Sequence, residues 1–287
     1  MKLRSGDNFI RARPLLGTLV EIRAGGLPEE DLSQAISKAF GAIEKVHRLM
    51  SFHDPESEVS KLNRSAYRNP LSIHPWTYRV LKIASRISDR TQGYFDCTIA
   101  SLLMQWGYLP KPRRLKRTLS TAGSYKDIEF LRSHRVRFKT SLLIDLGGIA
   151  KGFAVDQAVK ILKKEGVSWG SVNAGGDIRV FGKKQKIYVR HPHNPQDLIN
   201  MGYLCDSAMA TSALYFSRKR LDQKWVSPIV NPLNKKPWTK TMSVSVTAPT
   251  CLIADALTKA VMTSKDFGAS FLPKFGAHAI MLQEKKR

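Results

Sequence analysis

The chain has 287 residues, enough to bury a sizeable core in one large domain or two small ones. Apolar residues make up 43% of it, as in ordinary soluble proteins, and no apolar run approaches the roughly 20 residues that a membrane-spanning helix needs. The three cysteines lie far apart in sequence, which excludes a disulfide framework and a cysteine zinc site.

The charge is unusual, because 47 basic residues stand against 23 acidic ones and give a formal net charge of +24. Such a surface attracts polyanions, so nucleic acid or an anionic membrane surface is a candidate partner. The basic clusters are 111–117, 183–186, 218–224, 235–240 and 285–287. No helix-turn-helix, zinc finger or aromatic RNA-binding strand accompanies them, so we interpret most of them as solvated faces and keep nucleic-acid binding as a minor alternative.

Residues 1–13 are interpreted as a basic N-terminal extension and residues 14–283 as a single domain. The basic residues at the N-terminus are not followed by an apolar stretch, so the sequence has no signal peptide pattern. We therefore expect a cytoplasmic protein. A periplasmic or membrane-anchored protein whose export segment was removed is the alternative.

Hydrophobic periodicity and turn residues predict a mixed α/β or α+β fold, because strands and helices alternate without a regular repeat. In chain order the predicted elements are a strand at 15–23, a helix at 29–50, a short polar helix or loop at 57–63, a helix at 77–91 that ends before Gly93, strands at 126–138 and 142–146, a helix at 150–164, two strand pieces within 170–182, strands at 187–190, 208–213 and 243–248, a helix at 251–264 and a strand at 279–282. Residues 111–124 are the only candidate linker.

The first candidate binding motif is the segment from Asp145 to Gly152. With the preceding Ile144 its sequence is IDLGGIAKG. Gly147 and Gly148 let backbone N–H groups approach a ligand, and the predicted helix start beside Lys151 favours negative charge. A phosphate cradle and a plain strand-to-helix turn are equally compatible with this pattern. It matches neither the P-loop nor the G-x-G-x-x-G fingerprint.

A second glycine pair, Gly175 and Gly176, lies between Asn173 and Asp177. Alone it predicts a hairpin or bulge, but two such turns about 25 residues apart make a shared nucleotide site more plausible.

Other polar residues have ordinary structural explanations when each is taken alone. Asp255 and Lys259 lie four apart on one helix face, as in a common ion pair. Asp96 and Thr98 precede a helix, where an N-cap is expected. Polar residues in 51–63 could cap a helix or line a pocket. His191 and His193 lack the spacing and companions of a metal site.

Together, these segments resemble the FAD:protein FMN transferase (ApbE-type) family over nearly the whole chain. Eight segments occur in the family's order: LLGTLVEI, MSFHDPESEVSKLN, GYFDCTIASLLMQWGY, IDLGGIAKGFAVDQ, VNAGGDI, AMATSA, VSPIVNPLNKKP and SVSVTAPTCLIADALTKAVM. The resemblance implies the ApbE-type flavin transferase fold, with an FAD site between sheet ends and helices. Such enzymes cut FAD and attach its FMN moiety to a threonine of an acceptor protein, with Mg²⁺.

The resemblance also implies site residues. The FAD-binding candidates are Ser57, Glu58, Asp96, Thr98, Gly147, Gly148, Lys151, Gly175, Gly176, Asp177 and Thr211. The metal ligands would be the carbonyl of Ala150 and the carboxylate of Asp255. A hard cation prefers such oxygen ligands.

The sequence departs from the family where the chemistry is expected. The family's threonine metal ligand is replaced by Lys259, and its Thr-Ser-Gly segment ends here in Ala213. The family's H-x-x-D-P-x-x-G loop supplies a histidine base, whose position falls at Pro228 or Ser227. An aromatic residue often found in an earlier turn of the family is replaced by His53.

Two functions follow from these departures. One is a divergent FMN transferase with reduced or altered activity, in which His193, His53 or His74 could replace the missing base. The other is a catalytically inactive flavin-binding or flavin-sensing pseudoenzyme. In both, the ammonium of Lys259 is expected to replace the charge of the metal ion, so that FAD binds while Mg²⁺ binds poorly.

Overall fold

The computed structural model describes residues 8–111, 121, 123–192, 194, 196–214 and 217–283. Residues 1–7, most of the expected linker, His193 and the basic cluster 285–287 therefore lie outside the described residues. None of the described helices is long and apolar enough to cross a membrane.

Six α-helices are present among the described residues, and the long ones begin and end close to the predicted positions. They are α1 (Glu29–Met50), α2 (Glu58–Ser65), α3 (Pro75–Arg90), α4 (Ala100–Gln105), α5 (Ala150–Lys164) and α6 (Cys251–Thr263). In α1 the apolar residues Leu32, Ile36, Phe40 and Ile43 are fully buried. Their three-to-four spacing places them on one helix face, which explains why this helix could be read from the sequence.

The centre of the fold is a seven-stranded sheet whose neighbouring strands all pair antiparallel. In spatial order its strands are β1 (Phe9–Leu15), β2 (Thr18–Gly25), β6 (Trp169–Ala174), β7 (Asp177–Phe181), β10 (Ala208–Ala213), β15 (Met242–Ala248) and β16 (His278–Gln283). Helix α5 packs between α1 and α6, and α6 packs on β10 and β15. The sheet and these helices enclose the main apolar core. The α+β prediction is confirmed.

The remaining strands form small sheets around this core. They are β3 (Leu71–Ser72), β4 (Ile128–Leu131) and β5 (Arg135–Phe138) in one sheet, β8 (Gln185–Arg190) with β9 (Leu198–Leu204), β11 (Lys219–Leu221) with β12 (Lys224–Val226), and β13 (Val230–Asn231) with β14 (Lys236–Pro237). Neither β9 nor the small strands after β10 were predicted. They are short or exposed, so they carry little hydrophobic periodicity.

Three predicted elements differ in the structure. The strand at 15–23 is in fact the second half of a hairpin, and residues 9–13 of the expected extension belong to its first strand, β1. Residues 126–138 form a short 3-10 helix and the hairpin β4–β5.

Residues 142–144 and 146 are buried and Asp145 is half-buried, but the segment forms no strand. The side chain of Asn63 bonds both backbone groups of Ile144, at 2.9 and 2.8 Å, and the amide of Asp145 donates to the carbonyl of Cys97 at 2.8 Å. A side chain and a loop therefore satisfy the backbone in place of a neighbouring strand.

The hairpin at Gly175 and Gly176 is confirmed. Both residues have positive φ, +64° and +101°, and join β6 to β7 in a two-residue turn. Positive φ at both central residues is the geometry that matches the twist of antiparallel strands and that glycine adopts readily.

Candidate functional site

A cavity of about 400 Å³ opens where the turn before α5, the end of β10 and the middle of α6 meet. We call it the Lys259 cavity. Of the residues expected from the sequence, its lining includes Asp96, Gly147, Gly148, Lys151, Thr211, Pro228 and Lys259. A smaller cavity of about 230 Å³ adjoins it, shares Asp96, Ile99 and Pro232 with it, and adds Thr98. Segments far apart in sequence therefore converge on one elongated recess.

The other expected residues lie outside the lining of the Lys259 cavity. Ser57 is the N-cap of α2, where its Oγ accepts a bond from the amide of Ser60 at 3.1 Å. Glu58 accepts a bond from the amide of His74 at 2.7 Å. Gly175 and Gly176 form the hairpin turn, and Asp177 reaches the site only through Lys151. In this structure these residues therefore make structural contacts next to the cavity and do not line it.

Asp96 organises the loop before α4. One of its carboxylate oxygens accepts bonds from the amide and the hydroxyl of Thr98, both at 2.8 Å, and the other accepts a bond from the amide of Tyr125 at 3.2 Å. The expected N-cap role is wrong, since α4 begins at Ala100 and its N-cap is Ile99, without a side-chain cap. Burial raises the pKa of Asp96 despite these bonds.

Two ion pairs form the basic wall of the cavity. Lys151, in the first turn of α5, pairs with the buried carboxylate of Asp177 on β7. Lys259 pairs with the fully buried carboxylate of Asp255 one helical turn earlier on α6. Each of the two buried carboxylates therefore has an ammonium partner, as burial of charge requires.

The pKa values of this group follow from its geometry. Burial alone would lower the pKa of Lys151, but the carboxylates of Asp177 and Asp255 outweigh it and raise the pKa. Burial alone would raise the pKa of Asp255, but Lys259 and Lys151 hold it below its ordinary value. Lys151 is therefore charged at neutral pH, and its ammonium and that of Lys259 lie beside the cavity.

Gly152 permits this arrangement, whereas Gly148 has room for a Cβ atom beside Lys259. A Cβ atom at Gly148 would lie 3.6 Å from Cε of Lys259, so the lysine stem passes directly over this glycine. A Cβ atom at Gly152 would lie 2.3 Å from the carbonyl oxygen of Cys251, which no side chain could tolerate without moving α5 away from α6. The amide of Gly152 also donates to Asp255 at 3.0 Å.

The rest of the lining is largely apolar and aromatic, and sequence reasoning missed most of it. These residues are Tyr94, Phe95, Cys97, Ile99, Leu103, Tyr108, Leu109, Asp145, Ser212, Ala213, Ile229, Val230 and Pro232. The hydroxyl of Tyr108 lies 2.7 Å from the carbonyl of Ser217 and 2.9 Å from that of Val226, which fixes its ring. The aromatic residues in the segment 93–108 were the sequence signal that could have indicated this wall of the cavity. A planar ring system would find suitable walls here.

The comparisons with known proteins agree with this arrangement. The ApbE family model matches residues 16–281. The chain belongs to the ApbE family.

Its relatives include the FAD:protein FMN transferase of Vibrio cholerae, 28% identical over 87% of this chain and 79% of that protein, and that of Klebsiella pneumoniae, 23% identical over 84% and 74%. The solved ApbE protein of Thermotoga maritima is 30% identical, with a TM-score of 0.80 over 96% of this chain and 94% of that one. The ApbE-type fold expected from the sequence is thereby confirmed.

In this ApbE-family protein the residues present do not fit the divalent cation that the resemblance implies. One carboxylate oxygen of Asp255 is bonded to the ammonium of Lys259 and the other to the amide of Gly152. The main-chain carbonyl of Asp255 accepts a further bond from Lys259 at 3.0 Å. Among the described residues, no three His, Cys, Asp or Glu side chains come together to hold a metal ion. Mg²⁺ needs near-octahedral oxygen ligands. Here the ammonium of Lys259 is already bonded to the carboxylate of Asp255, the main ligand that the resemblance implies.

The family's histidine position is also filled differently. Pro228 lines the cavity, whereas Ser227 is buried beneath it, where its Oγ exchanges bonds with the backbone of Ile229. No histidine lines the Lys259 cavity within the described part of the chain. The lining carboxylates are Asp96 and Asp145, and burial raises the pKa of both.

Proposed function

We propose that this protein binds FAD in the Lys259 cavity. The observation that carries the proposal is the wall of two ammonium groups beside the Gly147-Gly148 turn at the start of α5. Cations, a glycine turn and a helix N-terminus together favour a pyrophosphate. The aromatic walls suit a flavin ring, and the adjoining smaller cavity extends the recess for a dinucleotide. The names of the relatives support the choice of FAD.

We further propose that the ammonium of Lys259 replaces the charge of the family's metal ion. It lies on the carboxylate that would otherwise be a metal ligand and is held there by two oxygens of Asp255. FAD binding should then be insensitive to Mg²⁺. This proposal concerns only the charge, because an ammonium cannot coordinate oxygens as a metal does.

Transfer of FMN to a threonine of an acceptor protein is proposed as a slow reaction of this site. The threonine hydroxyl would attack the phosphorus of the FMN half, the pyrophosphate bond would break, AMP would leave, and the hydroxyl proton would pass to a base. A well-placed general base contributes about 10²–10⁴ in rate. Here the candidates in the cavity lining are the carboxylates of Asp96 and Asp145, and Asp96 is already engaged by three hydrogen-bond donors.

A flavin-holding protein without transfer is the second candidate. The specific observation in its favour is that both residues that depart from the family pattern lie at this cavity: Pro228 lines it, and Lys259 lines it while paired with Asp255. Neither change prevents the basic wall from holding a pyrophosphate.

One incubation distinguishes the two functions. The protein is mixed with FAD, Mg²⁺ and an acceptor protein carrying the family's threonine motif, and the acceptor is examined for covalent flavin fluorescence after denaturing electrophoresis. The matched control is the acceptor with its threonine changed to valine. A fluorescent band with the threonine acceptor alone supports slow transfer.

Flavin that co-purifies with the protein, without a band, supports the flavin-holding function. A protein that neither binds FAD in calorimetry nor labels the acceptor contradicts both candidates. The variant Lys151→Met serves as a site control, because it removes one of the two ammonium groups and should weaken FAD binding.

A further inference from the structure

A second cavity, of about 610 Å³, lies between α3, α5 and the start of α6. We call it the arginine cleft. Its lining combines basic and apolar side chains of α3 and α5 with residues at the start of α6. None of these residues lines the Lys259 cavity, so the two are separate sites.

Helical spacing gives the cleft an apolar floor and a basic rim. On α3, Ile83 and Ile87 face inward one turn apart, while Arg79, Arg86 and Arg90 stand at the exposed edge. On the opposite side, α5 places Lys160 at the edge and the buried ring of Phe153 at the floor. Both α3 and α5 contribute to the rim and to the floor. The sequence alone could not show that these two helices face each other.

Among the residues that the structure describes, the cleft is lined by six basic side chains and a single carboxylate, Asp156. That carboxylate is already used, because it pairs with Arg179 at 2.5 Å and accepts bonds from the amides of Cys251 and Leu252, both at 3.0 Å. It therefore caps α6 and neutralises one cation.

The other cations have little compensation. Among the residues that the structure describes, Arg79, Arg86 and Lys160 form no ion pair with a carboxylate, and Lys163 lies 4.0 Å from the exposed Asp206. Like charges around a concave surface with apolar walls focus a positive potential into the cleft.

We propose that the arginine cleft binds a small organic phosphate of about nucleotide size. Arginine forks match phosphate oxygens two at a time, and the apolar floor can cover a ring. The volume lies within the range of small-molecule sites. A compact ligand with an apolar body fits this shape better than an extended acidic peptide, which would leave the floor unused.

The test is calorimetry with ATP as the probe, without Mg²⁺, on protein saturated with FAD so that the Lys259 cavity is filled. Flavin fluorescence is followed in parallel to detect displaced FAD. The test variant is Arg79→Gln with Lys160→Gln. The matched control is Lys82→Gln with Lys164→Gln, which removes the same charge from the same two helices at exposed positions outside the cleft. Thermal melts check that both variants fold.

We expect ATP to bind at one site without releasing FAD. The test variant should bind at least about tenfold more weakly, since it loses two charge-assisted contacts, and the control should stay within about twofold. Equal weakening in both variants would assign the binding to net charge and overturn the proposal. No ATP binding, or binding that only displaces FAD, would also overturn it. In a competition experiment, an acidic peptide and inorganic tripolyphosphate are each used to displace ATP. If the peptide displaces ATP at the lower concentration, the occupant is a peptide and the proposal is overturned. Because FAD binding is measured separately, failure here leaves the proposed function untouched.

Discussion

The replacement of Lys259 by threonine should convert a cation-independent site into a cation-dependent one. In the structure, the ammonium of Lys259 sits on a fully buried carboxylate, and the lysine side chain is only 23% exposed. The substitution Lys259→Thr removes this ammonium and places a hydroxyl oxygen where the family carries one. Asp255 then lacks its nearest positive partner.

The expected loss of stability follows from the burial of the pair. Removing one member of a buried ion pair costs about 3–5 kcal/mol. We expect a value near 3 kcal/mol, at the low end of that range, because the charge of Lys151 still acts on Asp255. In a domain of this size that corresponds to a melting temperature lower by roughly 6 °C.

Magnesium should restore much of this loss in the threonine variant alone. A ligand present at a hundred times its Kd stabilises the folded state by about 2.7 kcal/mol, so the melting temperature should recover by roughly 5 °C. The assay is differential scanning calorimetry with EDTA and with rising Mg²⁺, together with FAD titrations under both conditions. The control Lys259→Met removes the same charge without offering an oxygen.

The wild-type protein and the methionine variant should show no response to Mg²⁺ in either assay. The reasoning would be refuted if wild-type stability or FAD affinity rose with Mg²⁺ as much as in the threonine variant. It would also be refuted if the methionine and threonine variants responded alike, since the oxygen at this position would then be irrelevant.

Three further predictions follow from the same region. The double change Pro228→His with Lys259→Thr should raise FMN transfer to the acceptor, by as much as about 10²–10⁴ if the imidazole acts as a base; no gain in a variant that still binds FAD would mean that the site differs more widely from the family. Lys259 lowers the pKa of Asp255, so this carboxylate stabilises the fold above its ordinary pKa of about 3.9, and the contribution is lost as the pH falls through its lower folded-state pKa. The stability difference between wild type and Lys259→Met, measured by urea unfolding, should therefore be larger at pH 6 than at pH 3, and a difference independent of pH would contradict this. The variant Gly152→Ala should destabilise the protein by about 1–3 kcal/mol in the same assay, because its Cβ meets the backbone of α6, whereas Gly41→Ala, with open space in α1, should be neutral or stabilising.

The sequence alone predicted those parts of the protein whose signal is local. The helices α1 and α5 carry a buried face at helical spacing, α6 is an apolar segment buried on nearly all sides, and the Gly175-Gly176 hairpin carries the residues that its backbone angles require. The eight ordered segments also revealed the family, because order along the chain is a property of the sequence. The departures at Pro228 and Lys259 were visible in the same way.

Only the tertiary structure decided what lies next to what. The sequence predicted a strand at 142–146, but the side chain of Asn63, about 80 positions away, takes over its backbone bonds. The resemblance implies that Asp177 binds the ligand, and the fold adds that its carboxylate pairs with Lys151. The arginine cleft joins two helices that are distant along the chain. Periodicity reports which face of an element is buried, whereas the partner across that face depends on how the sheet and helices pack, and this packing brings the two ammonium groups to one wall.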